Sequence, residues 1–320
     1  MPAERPILID CDTGVDDALA LLLAAHSPQL KILGATTVAG NISSAQAARN
    51  TAFVLRQAGR TDVPVIRGSA VSLSGREPVA VPHIHGIDGL GGINTSAEGQ
   101  AVPQSRPGEC ATDFILSWVR KLGHELTLVA TGPLTNLALA MRSDPSIMRE
   151  VGQLVVMGGA LRLDGNVTPK AEFNSHCDPL AFAEVMSFGV PVILFPLDVT
   201  QTVELRASMF DEAQNVPPKK IDFIRRMSST YRAFHCSTRG GVDGCYVHDA
   251  LTVAWLLDPT LAKLERGWVT VDLAGDDIGR THWTPDPAGN VDTAIHFDSE
   301  RFFRLFWQAL GRKNERSLLD

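Results

Sequence analysis

Residues 7–25, "ILIDCDTGVDDALALLLAA", join an apolar run to an amphipathic one and set four aspartates, Asp10, Asp12, Asp16 and Asp17, within eight positions. The run 6–10 reads as a buried strand, and the segment from Asp16 to Ala25 has a helical period, so the aspartates gather where a strand ends and a helix begins. Two carboxylates about 4 Å apart repel by about 4 kcal/mol at an effective dielectric near 20. A helix N-terminus offers only about half a positive charge, and no Lys or Arg lies between Arg5 and Lys31. A bound divalent cation is the economical counterweight, and an all-oxygen donor set selects Ca²⁺ or Mg²⁺ over zinc. An EF-hand opening at Asp10 is excluded, because Val15 and Leu21 stand where that loop needs Gly and Glu. The D-C-D-T-G run also departs from the D-x-D-x-T/V signature of haloacid dehalogenase-type phosphatases.

Further β-rich apolar runs follow at 31–40, 63–68, 126–132, 153–159 and 190–198, with helix-period segments between them at 43–58, 111–122, 134–141 and 179–188. Strands alternating with helices predict an α/β fold: an open, mostly parallel wound sheet with helices on both faces and a Rossmann-like core. Ligands of such sheets sit at the carboxyl ends of the strands. The C-terminal third predicts a long helix at 219–235, helices at 249–257 and 299–310, and strands at 268–275 and 293–297. No linker composition separates it from the rest, so 1–320 reads as one domain. Residues 72–104, rich in Gly and Pro and without steady period, read as a mobile active-site loop.

With 44% hydrophobic and 20% charged residues and a net charge of -7, the chain is globular and a poor partner for nucleic acid or an acidic membrane. No run approaches the roughly 18 apolar residues of a membrane span. Met1 to Arg5 lead straight into the first strand, so a cytoplasmic location is expected. Five scattered cysteines without a CxxC pair suit reduced thiols.

The chain carries, in order, "DCDTGVDDALALLLA", "TTVAGN" ending at Asn41, "HGIDGLGG" at 85–92, "ATGPLTNLALA" at 130–140, "VVMGGA" at 155–160, "GNVTPKAEFNSHCDPLAF" at 165–182, "PLDVT" at 196–200 and "VHDALTVA" at 247–254. This ordered set resembles the nucleoside hydrolases of the inosine/uridine-preferring type, calcium-dependent enzymes that cleave the N-glycosidic bond of ribonucleosides. The resemblance spans residues 6 to about 257 and implies the nucleoside hydrolase fold. It implies Asp12, Asp17 and Asp249 as Ca²⁺ ligands, with the Thr131 carbonyl as a fourth. Asp12 is the implied base on a metal-activated water, and Asn41 supports that region. Asp16 is expected on the 2'-hydroxyl, with Asn166, Glu172, Asn174 and the Met157 backbone on the remaining sugar. A homodimer or homotetramer, in nucleoside salvage or catabolism, is implied by the resemblance alone.

Loss of a base from ribose passes through an oxocarbenium-like state, so a site needs negative charge beside the sugar and water activated on the opposite face. His248, next to Asp249, is the candidate leaving-group acid, since imidazole titrates near neutrality. His85 is a second candidate on the base side, and His83 reads as a surface residue. Tyr231, Phe234, His235 and Arg239 are possible base contacts. The alternatives are a non-catalytic nucleoside or sugar binder on this scaffold, or a Mg²⁺-dependent phosphatase.

Overall fold

In a computed structural model, which describes residues 4–93, 110–314 and 316–320, the predicted alternation is present and its strand order decides where a site can form. The strands are β1 Arg5–Cys11, β2 Leu30–Thr37, β3 Val65–Arg67, β4 Thr127–Ala130, β5 Gln153–Met157, β6 Val192–Phe195, β7 Glu204–Arg206, β8 Gly244–Tyr246, β9 Ala262–Val271, β10 Thr281–Pro285 and β11 Val291–Phe297. Nine of them form one sheet in the order β10-β9-β11-β6-β5-β4-β1-β2-β3, while β7 and β8 pair separately as an antiparallel ribbon. From β3 to β6 every pairing is parallel, and β11 adds to β6 in parallel. Only β9 runs against its neighbours β11 and β10. The order 3-2-1-4-5-6 is that of the doubly wound fold, whose strand order reverses between β1 and β4 and opens a crevice there.

Helices follow as α1 Val15–Ala25, α2 Ser44–Gln57, α3 Pro82–His85, α4 Ala111–Leu122, α5 Thr135–Ser143, α6 Pro145–Met148, α7 Phe173–Cys177, α8 Pro179–Ser187, α9 Leu197–Thr200, α10 Met209–Glu212, α11 Pro218–Met227, α12 Ser229–Thr238, α13 Ala250–Leu257 and α14 Ser299–Leu310. Side-chain alternation along β1 sends Ile7 and Ile9 into a core with Leu19 of α1, Leu251 of α13 and Phe302 of α14. Leu8 goes to the other face, with Leu116 of α4, Leu137 of α5 and Phe182 of α8. The helices therefore cover both faces, as the unbroken apolar strands require. Residues 15–24 of α1 are all buried, so this helix is held from every side and its first turn is fixed against β1.

Two expectations need correction, and one strand is added. The single helix at 219–235 is two, α11 and α12, divided at Ser228. The strand expected at 268–275 starts earlier and ends at Val271, and β10 was not foreseen. Within 72–104, residues 82–85 form a helical turn begun by Pro82; residues 94–104 of that predicted loop lie outside the described residues. None of the described helices is long and apolar enough to cross a membrane.

Candidate active site

The carboxyl ends of β1 and β4, with the loops after β2 and β5, open into a cavity of about 630 Å³. Asp16, Asn41, His85, Thr131, Met157, Asn166, Glu172, Asn174, His248 and Asp249 all line it. Asp16, Asp17 and Asp249 present carboxylate oxygens within 4.8 Å of one another, all three residues buried. Asp249 reaches the cluster from the position before α13, 232 positions after Asp17. Each oxygen of Asp17 has a donor: the Thr131 hydroxyl at 2.7 Å and the Gly14 amide at 2.8 Å. Asp12 is outside that trio but beside it. Its Oδ2 accepts the Asn41 backbone N–H at 2.6 Å, while its Oδ1 is buried without a partner. Asn41 thus supports Asp12 through its main chain.

Burial raises the carboxyl groups of Asp12, Asp16, Asp17 and Asp249 above the usual range, and like charge nearby adds to the shift of Asp12, Asp16 and Asp249. Asp16 is pushed up to about 7. Asp16 Oδ1, like Asp12 Oδ1, is buried with no hydrogen-bond partner. Two orphaned buried oxygens in an all-oxygen donor set, each costly when left bare, fit a hard divalent cation. Asp10, the fourth aspartate of the opening stretch, takes no part. It shares the parity of Leu8, so its Oδ1 accepts from Thr36 Oγ1 at 2.5 Å and Asn136 Nδ2 at 2.8 Å, on the α5 side of the sheet.

The residues expected on the sugar come from the end of β5, the β5–α7 connection and α7 itself. Glu172 is the N-cap of α7, and its oxygens accept the amides of Gly159, Asn174 and Ser175 at 2.9–3.0 Å. Burial nevertheless raises its carboxyl group. Asn174 donates through Nδ2 to the carbonyls of Thr131 at 2.8 Å and Met157 at 3.2 Å, which locks together two strand ends. Asn166 is exposed at the rim, where its Oδ1 accepts the Phe173 amide.

On the other side, Nδ1 of His248 and Thr200 Oγ1 are hydrogen-bonded at 2.7 Å, leaving Nε2 of that ring available to a ligand. His85 Nδ1 accepts the Val15 backbone N–H at 3.1 Å, so its proton is on Nε2. Both rings are buried, and that burial, aided by neighbouring histidines, pulls each to about 3. For His248 this shift runs opposite to the near-neutral titration expected of it. Tyr231 stacks on His85 with ring centres 4.8 Å apart and points its hydroxyl at Asp16 Oδ2, 3.4 Å away. Phe234, His235 and Arg239 also reach the cavity, as does His83 from the exposed side of α3. Gln201 and Tyr246 line it too and were missed; neither belongs to a charged cluster or a periodic face that would single it out.

A family model described as inosine-uridine preferring nucleoside hydrolase matches residues 7–304. The probable uridine nucleosidase 2 of Oryza sativa subsp. japonica is 35% identical over 89% of this chain and 86% of its own length. The pyrimidine-specific ribonucleoside hydrolase RihA of Klebsiella pneumoniae subsp. pneumoniae is 35% identical over 96% of this chain and 98% of its own. A solved purine-preferring ribonucleoside hydrolase from Gardnerella vaginalis superposes with a TM-score of 0.87 at 32% identity, covering 96% of this chain and 98% of that one. With the family's match running through nearly all of the sheet and every strand end that builds the cavity, the chain belongs to the inosine-uridine preferring nucleoside hydrolases.

Proposed function

We propose that the protein hydrolyses the N-glycosidic bond of ribonucleosides to ribose and a free base, with Asp12 as base toward water and His248 on the leaving group. The observation that carries this reading is the polarity of one cavity. Buried carboxylates converge at one end, with Asp16, Asp17 and Asp249 oxygens within 4.8 Å of one another; the His85 ring stands at their border, 3.9 Å from Asp16 Oδ1, and His248 and Tyr246 continue the wall. Such a distribution favours a substrate that becomes positive at C1' while its base departs with electrons.

Asp17, Asp249, Asp12 and the Thr131 carbonyl are the oxygens that would hold Ca²⁺. Bound there, the ion would offset the clustered charge, acidify the nucleophilic water and grip the sugar's vicinal hydroxyls. The chain's own groups do the rest. Asp12, anchored at Oδ2 by Asn41, turns Oδ1 to the water as proton acceptor. Asp16 takes the 2'-hydroxyl. Asn166, Glu172 and Asn174 hold the other hydroxyls, since a fixed polar site rejects a sugar that leaves it unpaired. His248, fixed at Nδ1 by Thr200, offers Nε2 to the departing base. Direct displacement by water gives inversion at C1' with no covalent intermediate.

The test is a panel of ribonucleosides, 2'-deoxyribonucleosides and nucleotides, with free base and free sugar measured separately. Release of both from ribonucleosides in equal amounts is expected. Tight nucleoside binding without release would favour the binder, and phosphate release the phosphatase.

A further inference from the structure

The cavity wall holds one Lys or Arg among the described residues, Arg239, just beyond the end of α12. Its guanidinium lies over the Tyr246 ring, 4.3 Å from the centroid. That ring is 5.5 Å from His248 and 5.2 Å from His235, centre to centre, so the cation belongs to the His248 side and not to the aspartate cluster. Its counter-ion is shared. Glu204 Oε1 is 2.9 Å from Arg239 Nη2, but Glu204 Oε2 is also paired with Arg206 Nε at 3.1 Å. One carboxylate between two guanidiniums leaves a positive charge over, and both Arg239 Nη1 and Glu204 Oε1 are buried with no hydrogen-bond partner, so the guanidinium is held loosely and turns toward the cavity to use Nη1. A buried donor in that state costs free energy until an acceptor arrives.

We propose that Arg239 is a specificity-determining residue that binds a carbonyl oxygen of the leaving base, at the position remote from the sugar: C4 of a pyrimidine or C6 of a purine. This rests on the hydrolase reading above and on the His248 side being the base side. A guanidinium only donates, so it accepts an oxygen there and refuses an amino group. The preference grows during reaction. As the C1'–N bond breaks, its electron pair passes into the base and spreads onto that oxygen, while the water oxygen bonds to C1' and its proton goes to Asp12. The base leaves with that pair and takes up one proton from solvent, while Asp12 returns its proton to solvent, so that one water is consumed overall. A charge-assisted bond to the oxygen is strongest when the pair has moved, so it speeds departure as well as binding.

The test compares kcat/KM of the wild type, Arg239→Gln and Arg239→Lys on uridine with cytidine, inosine with adenosine, and 4-nitrophenyl riboside, whose leaving group has no such carbonyl. In Arg239→Gln, uridine and inosine are expected to fall about 100-fold, as for loss of one oriented donor to developing charge. Cytidine, adenosine and the nitrophenyl riboside should change by less than about threefold. Arg239→Lys keeps the charge without the planar fork and should fall in between. An equal loss on all five substrates, or no loss on uridine and inosine, would overturn the assignment of Arg239 while leaving the hydrolase reading in place. A wild type that releases no ribose from any of the five overturns the hydrolase reading itself, and this proposal with it.

Discussion

Thr200 Oγ1 is 2.7 Å from Nδ1 of His248, and both residues are buried. The hydroxyl at the end of α9 fixes the plane of the ring and decides which nitrogen faces the cavity, the orientation that the proposed role of His248 on the leaving group requires. Thr200→Val keeps the shape and removes the bond. Turnover of uridine and inosine should drop by about 10- to 50-fold with KM little changed, while 4-nitrophenyl riboside, which leaves without a proton, should hold its rate. Thr200→Ser should restore most of the loss. Equal slowing of both substrate types would make Thr200 a packing residue only.

Asp12→Asn tests the role proposed for Asp12 as base toward water. The substitution removes a charge that burial and its neighbours already disfavour, and the amide oxygen can still accept the Asn41 N–H. Turnover should fall by about 10³-fold or more, with a melting temperature no lower than that of the wild type in chelator. Turnover within a few-fold of the wild type would remove Asp12 from that role.

Gly14 stands between α1 and His85, and its need for glycine is one of space, not of backbone angle. A Cβ there would lie 2.6 Å from His85 Nδ1 and 2.9 Å from Asn41 Nδ2. Gly14→Ala should push His85 off the Val15 amide, costing about 1–3 kcal/mol of stability through the clash and the lost bond. Activity should fall together with stability in denaturant melts. Unchanged values would mean that His85 is free to move.

The aspartate cluster was legible because like charge packed into eight residues of sequence needs a counterweight wherever the chain goes. That Asp10 faces away is the alternation of β1, one residue type read on the wrong side of the sheet. Strand positions 6–10 and 153–159 were placed because unbroken apolar runs are buried on both faces. The break at Ser228 was not, since α11 and α12 differ by one non-continuing residue in an otherwise helical pattern. Asp249 and His248 reach the site from the far end of the chain, which no local pattern encodes; only the resemblance brought them in. Thr200 lay inside the PLDVT motif with no role attached, and Gln201 and Tyr246 gave no signal, because single uncharged residues on short elements acquire meaning only from their neighbours in space.

If the cluster holds Ca²⁺, the ion is linked to folding, because it binds oxygens assembled only in the folded chain. A ligand at 100 times its Kd stabilises by about 2.7 kcal/mol, and at about 1.5 °C per kcal/mol for a chain of 320 residues the melting temperature should rise by about 4 °C. The check is a calcium titration of the chelated protein, with Mg²⁺ in parallel. Rises at equal concentrations of both ions would argue against selectivity for calcium, and no rise with either would remove the cation.

The Asp320 carboxyl group, paired with Lys220, carries a pH dependence of stability away from the site. The Lys220 side chain is 1% exposed, and Nζ donates to the carbonyls of Leu310 at 2.9 Å and Arg312 at 3.1 Å and pairs with Asp320 Oδ1 at 2.7 Å. Burial of Asp320 pushes its carboxyl group up, but the bonds from Lys220 and the Asn314 amide outweigh it and hold the group below its ordinary 3.8. A depressed carboxyl group adds stability above its unfolded value and loses it as pH falls through the folded one. Asp320→Asn should therefore be less stable than the wild type in urea at pH 7, with the gap closing as the pH drops below about 3.8. Lys220→Met strands the carboxylate and two carbonyls and should cost about 3 kcal/mol, with kcat per folded molecule unchanged. A wild type and Asp320→Asn that differ equally at pH 7 and at pH 3 would show that the pair is not what holds this corner together.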